Sequence, residues 1–136
     1  MQVNENTINT KSELLNIIKE GVNPLDFIKE ERDIDFVSNS IAIKGNQEDP
    51  YWEESAELLL KSILYYLVFT DGENKTLARC KEIVKMGLQD ESREKVRSLL
   101  EKEERANVLY KAVEIAPDKT YKSIFETLEE RLDKIC

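Results

Sequence analysis

The segment from Asp49 to Phe69 constrains the fold of this chain more than any other. An acidic residue before proline, as in Asp49-Pro50, is typical of a helix start, because the carboxylate accepts a free N–H group and proline fits the first helical position. From Leu58 onward, apolar residues occupy nearly every side of such a helix. A helix that is apolar all round is a buried one. We therefore predict a central helix over about residues 50–69, with other helices packed around it.

Helix signals recur along the rest of the chain. Thr10 and Glu13 form the pattern of a capping box, and Asn23-Pro24 marks the start of a second, short turn. The last helix is predicted by a continuous apolar stripe, made of Tyr121, Ile124, Phe125, Leu128, Leu132 and Ile135. Only four glycines and three prolines interrupt the chain, few for a β-sandwich or barrel. The sequence predicts an all-α, compact bundle of six to eight helices.

Between these segments the pattern predicts further helices. One begins near Asp33, although residues 40–43 also alternate like a strand, and another spans about residues 75–86 with Gly87 closing it. A further helix ends before Pro117, and its apolar positions are Val108, Leu109, Ala112, Val113 and Ile115. We expect residues 1–9 to be a flexible tail and residues 10–136 to form one domain.

The residues that are missing narrow the range of functions. The sequence contains no histidine, so a Ser-His-Asp or Cys-His nucleophile system is excluded. Two cysteines, Cys80 and Cys136, cannot supply a four-cysteine zinc site. They also make no disulfide scaffold, which suits a reducing cytosol, and we expect Cys80 to be a core residue. We predict no enzyme activity, no metal and no cofactor.

No segment is long enough to suggest a membrane span. The most apolar stretch, Leu58 to Phe69, is about a dozen residues long and contains Lys61, whereas a spanning helix needs about 20 apolar residues. The polar residues 1–9 do not resemble a secretory signal. We expect a cytoplasmic domain without direct membrane contact.

Charge is distributed unevenly along the chain. Residues 1–71 carry fourteen acidic and six basic residues, so this half accounts for the whole net charge of -8. Such a field favours basic partners and repels a phosphate backbone. Glu30, Glu31, Asp33 and Asp35 are the densest acidic group, and without a central glycine they do not form an EF-hand loop. We expect them to form an exposed acidic patch that binds a partner.

Two further sets of residues, three glutamates and two tyrosines, allow both a structural and a functional interpretation. Glu53, Glu54 and Glu57 are expected to complement the helix dipole on a solvated face, and an enzyme built on them requires a stoichiometric divalent metal. Tyr110 and Tyr121 fit core packing better than the stacking of single-stranded bases.

Three segments carry a resemblance to one family. They are Asp49-Pro50-Tyr51-Trp52-Glu53 with the leucine-rich helix behind it, Asn23-Pro24-Leu25-Asp26-Phe27-Ile28 upstream, and Lys119-Thr120-Tyr121-Lys122-Ser123-Ile124 with Arg131-Leu132 downstream. In this order they resemble the all-α domain of type IV secretion coupling proteins of the conjugative DNA-transfer class. Lys119-Thr120 is not a phosphate-binding loop, because no Gly-x-x-x-x-Gly precedes it.

The resemblance implies a substrate-recognition domain inserted in a hexameric ATPase at the inner face of the membrane. Its implied partners are the relaxase, relaxosome accessory proteins and the motor domain of the parent ATPase, with weak DNA contact by the isolated domain. Trp52 is either a core anchor or a partner contact, and Lys122 is the second candidate docking position after the acidic patch. The alternative is a free-standing acidic helical adaptor without a motor.

Overall fold

A computed structural model describes residues 8–45, 49–89 and 93–135. This part of the chain holds no strand and contains seven α-helices and one 3-10 helix, Pro24–Phe27. The helices are α1 Lys11–Lys19, α2 Glu31–Ala42, α3 Tyr51–Phe69, α4 Leu77–Gly87, α5 Arg93–Leu100, α6 Glu104–Glu114 and α7 Asp118–Ile135. The predicted all-α bundle is confirmed. Residues 1–7 of the predicted tail lie outside the described residues, while Ile8 packs against the core.

Helix α3 is the centre of the bundle, as predicted. It packs against α2, α6 and α7, and the side chains of Leu60, Ile63 and Leu64 are fully buried. One side of its C-terminal half is open, because Tyr65 is half-buried and Phe69 is exposed. No helix of the described residues is long and apolar enough to span a membrane.

The predicted helix starts are capped by the expected side chains. The Thr10 hydroxyl accepts the Glu13 N–H at 3.1 Å, and the Asp49 carboxylate accepts the Tyr51 N–H at 3.0 Å. Pro50 therefore lies one residue before α3 rather than at its first position. The predicted helix from residue 75 begins two residues later, because Thr76 provides its cap.

Gly87 ends α4, as predicted, and it also has a packing role that the sequence did not indicate. It is the last residue of α4, and a Cβ atom there would lie 2.1 Å from a ring carbon of Phe125 on α7. A glycine is needed because the two helices approach so closely that no side chain fits.

Helix α6 buries a different face from the one that the sequence predicted. Its buried residues are Ala106, Tyr110 and Val113. Val108 and Ile115 are instead 64 % and 84 % exposed. Val108 and Ile115 therefore belong to an apolar strip on the exposed surface, beside the polar residues of α6.

Candidate functional site

The predicted acidic patch lies at the start of α2, but its four carboxylates are not equivalent. The Asp33 carboxylate accepts the backbone N–H groups of Lys29 at 2.9 Å and Glu30 at 3.0 Å. It therefore caps α2, and the expectation that it belongs to the solvated patch is corrected. Glu30, Glu31 and Asp35 are exposed.

The exposed carboxylates each form an ion pair. Glu30, the residue before α2, pairs with Arg32 in the first turn of that helix, whereas the other two carboxylates reach neighbouring helices. Glu31 lies 3.0 Å from Arg105 of α6, and Asp35 lies 3.3 Å from Lys61 of α3.

In both interhelical pairs the acidic partner is the more exposed one. The exposed fractions are 59 % for Glu31 against 41 % for Arg105, and 61 % for Asp35 against 25 % for Lys61. The two carboxylates therefore project further into solvent than the basic groups with which they pair.

These pairs border a groove between α2, α3 and α6, which we call the α2–α3–α6 groove. Its volume is about 360 Å³, and it is lined by Asp35, Lys61, Tyr65, Glu104, Arg105, Val108 and Leu109. Phe69 stacks against Tyr65 with the ring centroids 6.0 Å apart. The guanidinium of Arg105 lies 4.2 Å from the Phe69 centroid and 5.1 Å from that of Tyr65, as in a cation–π contact.

Tyr65 lies close to the acidic edge of the groove. Burial raises the pKa of Tyr65, and the negative charges of Glu31 and Asp35 raise this pKa further. The nearby Arg105 opposes them but does not reverse the direction of the shift. An apolar floor with acidic edges is chemically suited to a basic, amphipathic partner.

Two residues of the family-like segments form a buried ion pair that is not part of this groove. Glu53 and Arg131 are 4 % and 7 % exposed, and their side chains lie 3.1 Å apart. The Glu53 carboxylate also accepts the Lys44 N–H at 2.7 Å, and Arg131 donates to the Ala42 carbonyl at 3.3 Å. We call this group the α2–α3–α7 junction, because it joins the end of α2 to α3 and α7.

The junction corrects the interpretation of Glu53 as part of a solvated face. Only Glu54 fits that expectation fully, since Glu57 is half-buried. Sequence reasoning placed both Glu53 and Arg131 in motifs but did not pair them. Their separation of 78 residues leaves no local signal.

The other family-like residues are distributed between fold and surface. Asn23 caps the 3-10 helix by accepting the Leu25 N–H, and its amide donates to the Lys75 carbonyl at 2.6 Å. Trp52 is half-buried against the core, and its ring meets that of exposed Tyr51 edge-on at 4.9 Å.

The third family-like segment lies at the start of α7, outside the residues that line the groove. Lys119 and Lys122 are exposed there, while Thr120 and Ser123 are half-buried. The structure therefore does not unite Lys122 with the acidic patch in one site.

Base stacking on the two tyrosines is ruled out by their burial. Tyr110 and Tyr121 are 0 % and 3 % exposed, and their hydroxyl oxygens lie 2.6 Å apart. Burial raises the pKa of both phenols. Cys80 is fully buried, as predicted. In the described part of the chain, no three His, Cys, Asp or Glu residues lie close enough together to hold a metal ion.

Comparison with known proteins gives no match among protein-family models, curated proteins or solved structures. The function is therefore inferred from the residues and their geometry.

Proposed function

We propose that this chain is a non-enzymatic substrate-recognition domain of a type IV secretion coupling protein. In this proposal it docks the relaxase or relaxosome accessory proteins for conjugative transfer, and the motor of the parent ATPase supplies the hydrolysis. The domain works on the cytoplasmic side of the membrane and contributes little DNA affinity of its own.

The observation that supports this proposal most is the position of the family-like residues in the fold. Asn23 and Asp49 cap helices, and Glu53 is joined to Arg131 in the buried α2–α3–α7 junction. Segments separated by most of the chain thus meet in one structural unit. This contact between two of the three family-like segments is what the proposal requires, and it supports the proposal.

The docking surface of the proposal is the acidic edge of the α2–α3–α6 groove. Glu31 and Asp35 project further into solvent than the basic residues they pair with. Exposed charges of this kind act mainly on the rate of encounter with an oppositely charged protein. The net charge of -8 acts in the same direction and disfavours duplex DNA.

The test is the transfer activity of the parent ATPase carrying Glu31→Lys and Asp35→Lys. Asp33 is left intact because it caps α2. The matched control is Glu82→Lys with Glu130→Lys, which also changes the net charge from -8 to -4 and also breaks two ion pairs with exposed carboxylates, on α4 and α7.

We expect the α2 variant to reduce DNA transfer while ATP hydrolysis stays near the wild-type rate, and the control to retain transfer. Equal transfer by both variants would contradict the proposed docking surface. A free-standing adaptor predicts no effect on transfer, and the genes around the coding region distinguish it at once.

A further inference from the structure

We propose that the α2–α3–α6 groove binds an amphipathic helix of the partner, with its apolar stripe on the groove floor and its basic residues against the acidic edge. This inference rests on the proposed docking function and adds the secondary structure and chemistry of the bound segment.

The groove offers apolar surface from Tyr65, Val108 and Leu109, and Phe69 beside it adds an aromatic ring that Arg105 partly covers. Phe69 is 41 % exposed and stacks with half-buried Tyr65 from the preceding helical turn. Val108 adds an aliphatic side chain that is 64 % exposed, next to half-buried Leu109. Burial of such surface supplies affinity that paired surface charges alone do not.

The apolar strip continues along α6 beyond the groove. Val108, Ala112 and Ile115 are all exposed and follow the i, i+4, i+7 spacing of one helix face. Seven residues at a rise of ~1.5 Å each cover about 10 Å, or two helical turns. A strip of this length matches the i, i+3 or i+4, and i+7 anchors with which a bound helix occupies a groove.

The charged residues around the floor indicate which charge the bound helix carries. Exposed Glu104 lines the groove and forms no ion pair with any residue of the described ranges. With Glu31 and Asp35 it gives three carboxylates, against the partly covered Lys61 and Arg105. An acidic helix would bring like charges together, so the complementary occupant carries lysine or arginine beside its apolar stripe.

The test uses three synthetic peptides and the full chain. The first is a helix of about 18 leucines and lysines, a length that supports helix formation, with the leucines on one face. The second has the same composition in scrambled order, and the third replaces lysine by glutamate. Binding is followed by backbone amide NMR shifts and by fluorescence titration at physiological salt.

Val108→Ser tests the floor, and Val22→Ser is its matched control at another exposed valine. Val108 is mostly solvent-exposed, so its replacement leaves the fold intact. We expect the amphipathic lysine peptide to shift the amides of Tyr65, Phe69 and Val108. Val108→Ser is expected to lower the affinity for that peptide about tenfold, equal to about 1.4 kcal/mol, while Val22→Ser has little effect on it.

Two outcomes would overturn the inference. One is equal affinity of the ordered and scrambled lysine peptides, together with no effect of Val108→Ser. In that case Glu31→Lys with Asp35→Lys still abolishes binding if the proposed acidic docking surface is right, so the two proposals fail separately. The other is tighter binding of the glutamate peptide, which would reverse the assigned charge of the occupant.

Discussion

The α2–α3–α7 junction and the edge of the α2–α3–α6 groove use the same chemistry for opposite purposes. Each joins helices through a carboxylate and a basic side chain at about 3 Å. At the junction the two side chains are 5 % and 8 % exposed, whereas at the groove Glu31 is 59 % exposed. The two sites therefore differ in burial and not in the presence of an ion pair, and we expect burial to separate residues that hold the fold from residues that a partner can reach.

A third ion pair lies between these extremes. Arg79 and Glu73 are 21 % and 14 % exposed, and the Tyr66 hydroxyl also donates to the Glu73 carboxylate. The three sites form a series of decreasing burial. The free energy of unfolding should respond to mutation in the same order.

The largest effect is expected at the junction. Arg131→Met leaves the Glu53 carboxylate buried without its counter-charge, which typically costs about 3–5 kcal/mol in the free energy of unfolding. The control Lys134→Met removes an exposed pair with Glu130 on the same helix and should cost less than about 1 kcal/mol.

A double variant then distinguishes two costs in the free energy of unfolding, which are the loss of the ion-pair attraction and the burial of an unpaired charge. Glu53→Met with Arg131→Met should be less destabilised than Arg131→Met alone in urea unfolding, because no lone charge stays buried. Equal small losses for Arg131→Met and Lys134→Met would show that the junction does not hold the fold.

The second effect depends on pH and comes from Glu73. Hydrogen bonds from Arg79 lower the pKa of Glu73 from 4.5 to about 2, and the bond from Tyr66 acts in the same direction. A lowered carboxyl pKa stabilises the fold above pH 4.5, and this contribution is lost as the pH falls toward 2. It amounts to at most about 3 kcal/mol.

Urea unfolding near neutral pH and near pH 2.5 measures this contribution. Glu73→Gln should destabilise the chain most near neutral pH, and its stability should fall less on acidification than that of the wild type. Glu82→Gln, which alters the exposed contact of the same arginine, is the control. Identical acid sensitivity of Glu73→Gln and wild type would contradict the role given to Glu73.

The smallest effect on stability is expected at the groove. Glu31→Gln with Asp35→Asn breaks two exposed pairs and should change the free energy of unfolding by less than about 1 kcal/mol. Thermal and urea unfolding check this value. A loss as large as that of Arg131→Met would remove the distinction between the two regions.

The sequence predicts those parts of this fold that depend on neighbouring residues. Thr10 and Asp49 cap helices within three residues of themselves, and the stripe from Tyr121 to Leu132 defines the buried face of α7 by its spacing alone. Local hydrogen bonds and helical periodicity are encoded in short windows, so these elements were predicted correctly.

The remaining features depend on distant parts of the chain. The burial of Glu53 requires Arg131, and Gly87 is explained by a phenylalanine on α7. Helix α6 has apolar residues on two sides, and packing against α3 turns Val108, which the sequence placed on the apolar face, outward while Tyr110 is buried as predicted. The groove has an apolar floor because Val108 faces outward, so the sequence suggested the acidic edge of the groove but not its floor.

The central claim is that exposed acidic residues at the groove steer docking while the buried junction holds the fold. Stopped-flow association with a basic relaxosome protein, measured at low and at physiological salt, tests it most directly. Glu31→Lys with Asp35→Lys should lower the low-salt association rate about tenfold and flatten its salt dependence. Glu82→Lys with Glu130→Lys, of equal net charge, should keep most of the wild-type rate. Equal slowing by both variants, or no slowing by either, would contradict the claim.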